Sequence, residues 1–159
     1  MKITILAVGK IKEKFYTEAV KEYSKRLSRY CKLEIIEVAD EKTEENASRH
    51  EEDLIREKEA ERLGKYIKNG AYAIALAIEG NQCSSEEFSA KIQGLGLRGE
   101  SHIIFVIGGS IGLAPAILQN AKELLSFSKM TFPHQLMRVV LLEQIYRGFR
   151  IMNGEPYHK

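Results

Sequence analysis

The chain has 159 residues, 44% of them hydrophobic and 29% charged, and a formal net charge of +2 at pH 7. That length is expected to form one domain, residues 1–159, burying about 70% of the surface exposed in the unfolded chain. The charge balance excludes nucleic-acid binding by bulk charge alone, and Cys31 and Cys83, in no CxxC pair and near no His cluster, exclude a disulfide framework or a zinc-type metal site.

The first apolar run, Ile3 to Val8, is too short for a membrane span or a signal-peptide core. A soluble, unprocessed protein of the reducing cytoplasm is expected. Charge is unevenly spread: Met1 to Gly70 carries 16 Lys and Arg against 15 Asp and Glu, whereas Ala71 to Lys159 carries 8 against 7 and most of the glycines. The charged half reads as scaffold and the quiet half as site.

In chain order, Lys2 to Val8 reads as a strand. Phe15, Tyr16, Ala19, Val20, Tyr23, Leu27 and Tyr30 then recur at helical spacing. Lys32 to Val38 reads as a second strand, and the charges from Asp40 to Glu45 as a solvated loop. Ala47 to Ile67 is rich in helix formers, with Leu54, Ile55, Leu63 and Ile67 on one narrow apolar face, the pattern of an outer helix. Ala71 to Ile78 is a third, central strand. Ser84 and Glu87 form a capping box that opens a helix through Phe88 and Ile92.

His102 to Ile107 is a continuous β-branched run, the pattern of a strand buried on both faces of a parallel sheet. Gly108, Gly109 and Gly112 follow it as a glycine-rich turn, at the strand end where open α/β sheets bind ligands. Pro115 opens a short helix, Leu124 to Met130 reads as a last strand, and Gln135 to Met152 as a helix apolar around nearly its whole circumference. Such a helix must be buried on more than one side, so a homodimer is expected, with a central helix of the monomer as the alternative. The alternation of strands and helices predicts an α/β sandwich on a mainly parallel sheet of about five strands.

Gly94-x-Gly96-x-x-Gly99 matches the dinucleotide fingerprint but stands after a helix and before a strand, the reverse of what that motif needs. Three loops remain: Ile78 to Asn81, Gly108 to Leu113 and Ser126 to His134. All can lie at one sheet edge and wrap a small molecule with backbone groups. Spacing alone leaves the glycines open between a ligand turn and an ordinary one, and leaves Ser126 to His134 open between a nucleoside pocket and a capped helix start. His134, Arg138, Arg147, Arg150, Tyr157, His158 and Lys159 gather cations and stacking groups on the last helix and tail. They suit RNA contact, or a solubilising face with a frayed end.

Taken together, Ile107-Gly108-Gly109 with Gly112-Leu113, Ser128 through Pro133-His134, Arg138, Glu143-Gln144-Ile145-Tyr146-Arg147 and the ending Pro156-Tyr157-His158 resemble the SPOUT-class ribosomal RNA methyltransferases, over essentially the whole chain including Ala7-Val8-Gly9-Lys10. The resemblance implies a C-terminal trefoil knot, a homodimer, and S-adenosylmethionine-dependent methylation of N3 of a pseudouridine in large-subunit (23S) ribosomal RNA on assembled ribosomes. It implies a cofactor pocket of Leu76, Gly108, Phe127, Ser128, Lys129, Met130, Thr131 and Phe132. His158, helped by Tyr157, is the expected base or orienter, and Arg138, Arg147 and Lys159 the expected RNA contacts. Two other readings stay open: the same chemistry on another RNA such as transfer RNA, and a non-catalytic, ribosome-associated nucleotide-binding module.

Overall fold

In the computed structural model, which describes residues 1–159, strand β1 (Lys2–Val8) and strand β4 (His102–Ile107) lie side by side and parallel, in register from Lys2 opposite His102 to Ala7 opposite Ile107. Both are continuous apolar runs because both of their faces are covered. Ile3, Ile5 and Ala7 join Ile103, Phe105 and Ile107 in one core, while Leu6, Val8, Ile104 and Val106 join a second core on the opposite face.

The remaining elements are α1 (Lys14–Leu27), β2 (Lys32–Val38), α2 (Arg49–Gly64), β3 (Tyr72–Asn81), α3 (Ser85–Leu97), α4 (Pro115–Asn120), β5 (Glu123–Leu125) and α5 (His134–Met152). The sheet order is β2-β1-β4-β3-β5, parallel throughout. Leu27 of α1, Phe88, Ile92 and Leu95 of α3, and Leu141, Leu142, Ile145 and Phe149 of α5 fill the larger core. Leu63 of α2 and Ile117 of α4 close the smaller one. The expected five-strand α/β sandwich is therefore present, and no helix is long and apolar enough to cross a membrane.

The predicted Ser84–Glu87 capping box is formed, and a second one, Ser48 with Glu51, starts α2. Gly94 and Gly96 lie in the last turns of α3, with Gly99 beyond its end at positive φ, so the glycine triplet ends a helix.

Three expectations are corrected. The last strand stops at Leu125 instead of Met130, because β3 bulges between Leu76 and Asn81 and the chain leaves the ladder once Ser126 N–H has bonded Asn81 C=O at 3.0 Å. The inward face of α2 is Ile55, Glu59 and Leu63, while Leu54 points to solvent. Phe15, placed on the packed face of α1 by its spacing, is 62% exposed in the helix's first turn. On α5, Leu136, Val139, Val140 and Tyr146 stay half-exposed once the core side is buried.

Candidate cofactor cavity

The glycine turn closes on itself at the end of β4. Gly112, at φ +82°, donates its N–H to Gly109 C=O at 3.1 Å, and a Cβ on Gly108 would stand 2.8 Å from the Gly112 carbonyl carbon. Only glycine fits at position 108 without moving the turn. Next to it, the segment leaving β5 is pinned by its own hydroxyls: Ser126 Oγ donates to Ser128 C=O at 3.1 Å, and Met130 N–H donates to Ser128 Oγ at 3.0 Å.

Between this turn, the end of β3 and the segment after β5 lies a cavity of about 860 Å³. The three stretches singled out by their sequence meet there, although Ile78 to Asn81, expected as a loop, is the bulged end of β3, because Asn81 still pairs with Leu125. Leu76, Gly108, Phe127, Ser128, Met130, Thr131 and Phe132 all line it, whereas Lys129, between them, does not. Ile78, Met130 and Phe132 stand exposed among the lining residues, and Leu125 and Ile107 form buried wall. Arg56, Glu79 and Met137 also line it. Glu79 falls in the stretch Ile78 to Asn81, whereas the sequence reading missed the other two: Arg56 looks like any solvated cation of α2, and Met137 like any apolar residue of α5.

His134 lines the cavity from the first turn of α5, its buried Nδ1 without a hydrogen-bond partner. Burial, and then the nearby Arg138 charge, push its pKa below the ordinary imidazole value, which favours a neutral ring.

Arg138 does not behave as an RNA contact in this chain. Its guanidinium is 1% exposed, with Nη2 donating to the carbonyls of Val8 and Gly9 at 3.0 and 2.6 Å and Nη1 bonded to Glu37. It fastens α5 to the ends of β1 and β2 and leaves no donor facing solvent for a phosphate.

The tail residues pack away from the cavity lining, against α3 and α5. Tyr157 donates to Glu143 Oε1 at 3.0 Å and lies 4.7 Å from the Arg147 guanidinium, and burial followed by that carboxylate pushes its phenol pKa up to about 12. Arg147 pairs with Glu143 at 2.6 Å and reaches His158 Nδ1 at 3.2 Å, and His158 Nε2 meets Glu86 Oε1 at 2.7 Å. Arginine only donates, so Nδ1 accepts and the Nε2 proton goes to Glu86. Lys159 is exposed beyond this network.

A family model described as "Predicted SPOUT methyltransferase" matches residues 1–158. The chain belongs to the SPOUT methyltransferase family. It is similar over its full length to proteins named ribosomal RNA large subunit methyltransferase H, at 65% identity in Bifidobacterium adolescentis and 62% in Clostridium kluyveri, each covering 100% of both chains. A crystal structure described as a probable methyltransferase from Bordetella pertussis is similar in fold, with a TM-score of 0.58 and 11% identity over 92% of this chain and 95% of that one. A SPOUT methyltransferase has to seat a methyl donor and bring an acceptor to it. In this SPOUT chain the cavity, with apolar walls, backbone-rich turns and few charges, has the size and character of a small-molecule site.

Proposed function

We propose that the chain transfers a methyl group from S-adenosylmethionine to N3 of a pseudouridine in large-subunit ribosomal RNA, as a homodimer acting on the assembled ribosome. The observation that carries this reading is the end-to-end likeness to relatives named ribosomal RNA large subunit methyltransferase H. The cavity fits the cofactor chemically. Leu76, Leu125 and Phe127 offer apolar surface for a purine, and the turns on either side offer backbone N–H and C=O groups for its edge and for the ribose.

S-adenosylmethionine, when bound, would supply an electrophilic methyl on a sulfonium, transferred to the nucleophilic nitrogen as the C–S bond breaks and its electron pair leaves on the neutral thioether. The protein's task is chiefly alignment. The loop from Phe127 to Phe132 and the Gly108 turn would hold the donor, with Lys129 exposed on that loop and outside the lining.

His158, with Tyr157, receives or orients the N3 proton. Within one chain Arg147 occupies the Nδ1 that would take that proton, so the role requires RNA or the partner subunit to draw the tail out of its network. A partner subunit also accounts for the half-exposed apolar residues of α5 and for Phe15 and Phe132. The trefoil knot belongs to the same reading, supported by the course of the chain from β5, at the sheet edge beside β3, back to Arg138 at the end of β1.

Mass mapping of ribosomal RNA from cells lacking the gene tests the proposal. The expected result is loss of one methyl on a large-subunit pseudouridine, and an unchanged map overturns it.

A further inference from the structure

Glu59 is the one carboxylate buried in the fold, 4% exposed at an inward position of α2 between Ile55 and Leu63, and it forms no ion pair. One oxygen, Oε2, accepts the Glu41 N–H at 3.0 Å, and the other, Oε1, has no partner. Both face Gly109: a Cβ built there would stand 3.4 Å from Oε1, 3.5 Å from Oε2 and 3.2 Å from Val8 Cγ1. One turn earlier on the same helix, Arg56 Nε donates to Ile111 C=O at 2.9 Å. Thus α2 touches the glycine turn at two points, Gly109 and Ile111, both within the turn that the Gly109–Gly112 hydrogen bond closes.

A helix meant only to cover the smaller core would carry an apolar residue at position 59, as it does at 63. A carboxyl buried between a helix and a glycine turn, with one oxygen tied to the preceding loop, is suited to setting the position of that turn. We propose that Glu59 is a positioning residue for cofactor binding: wedged between the Glu41 N–H and Gly109, it fixes the glycine turn and so the Gly108 wall of the cavity. The inference rests on the cofactor reading given above. It assigns to α2, the outer helix of the charged half, a part in the site.

Calorimetry with S-adenosylmethionine on the full-length protein separates this role from simple stabilisation, because stoichiometry reports the folded fraction and Kd reports the shape of the site. In Glu59→Ala, Kd rises between about tenfold and a hundredfold, the scale set by small misplacements of binding groups, while stoichiometry holds. Hydrogen exchange at Gly109 to Gly112, read without ligand, speeds up in the same variant. Glu59→Gln keeps the outline and an oxygen for the Glu41 N–H, and restores both readings. Unchanged Kd and exchange in Glu59→Ala, a fall in stoichiometry alone, or a Gln variant as impaired as Ala overturns the inference. If Glu59→Ala does not fold, Gly109→Ala probes the contact from its other side and must give the same weaker binding and faster exchange, and normal values there overturn it. An unchanged chain that fails to bind S-adenosylmethionine removes the cofactor reading, and this inference with it.

Discussion

Arg138 and Glu37 form an ion pair at 2.5 Å across 101 residues of sequence, and the same guanidinium donates to two carbonyls at the end of β1. Removing it strands those carbonyls and unfastens α5 from the sheet. Arg138→Ala is therefore expected to lower unfolding free energy by about 3–5 kcal/mol, the range for breaking a buried, hydrogen-bonded charge. Denaturant midpoints measure this. Arg138→Lys recovers only part of the loss, since one ammonium cannot reproduce the two-sided fork.

Gly108 tests the cavity directly. A Cβ there meets the Gly112 backbone, so Gly108→Ala displaces the turn, and a larger side chain also enters the cavity. Binding of S-adenosylmethionine, followed by calorimetry, is expected to be lost while the sheet signal in circular dichroism persists. Normal affinity in Gly108→Val would show that the donor binds elsewhere.

Because His158 is absent from the cavity lining, its removal should separate binding from turnover. His158→Ala is expected to keep its affinity for S-adenosylmethionine and to lose turnover by roughly a hundredfold, the scale of general acid–base assistance. Single-turnover assays on ribosomes decide it, and unchanged turnover would end the role assigned to the tail.

Tyr157 makes a prediction about alkaline pH. Its folded-state pKa is raised from 10.0 to about 12, so the stability it contributes is fully present below pH 10 and is lost as the pH rises toward 12. Tyr157→Phe should flatten that part of the stability–pH curve. In a spectrophotometric titration it should also remove the latest-ionising phenol.

A net charge of +2 gives little sequence-independent attraction for free RNA. Methylation is accordingly expected on assembled ribosomes or subunits and not on naked ribosomal RNA, and equal rates on both would contradict the proposal.

Continuous apolar runs identified β1 and β4, and Ser84 with Glu87 marked the start of α3, because buried strands and caps leave local patterns. The segment from Leu124 to Met130 misled for the opposite reason. Its alternation suits a strand, but where it stops is decided by the bulge in β3, some fifty residues away in sequence. Arg138 shows the same limit: sequence marks a cation, while its burial depends on Glu37 and the end of β1. The three cavity segments were legible because parallel strands put their carboxyl ends together, although Ile78 to Asn81 is the end of β3 and not a loop. The order β2-β1-β4-β3-β5 and the separation of the tail from the cavity were not, since both are set by long-range packing.

The pairing of β1 with β4 also constrains how the molecule is made. The first strand finds its central neighbour only after a hundred further residues have been synthesised, and the clamp over its end waits for Arg138. Until then a two-sided apolar strand has only β2 beside it, with one flank of its backbone ladder open. Contacts of such sequence separation are slow to close, and an open ladder invites pairing with other chains. Emerging chains are therefore most prone to aggregate before His102 to Ile107 leaves the ribosome, and refolding of the complete chain is expected to be limited by docking of this central pair.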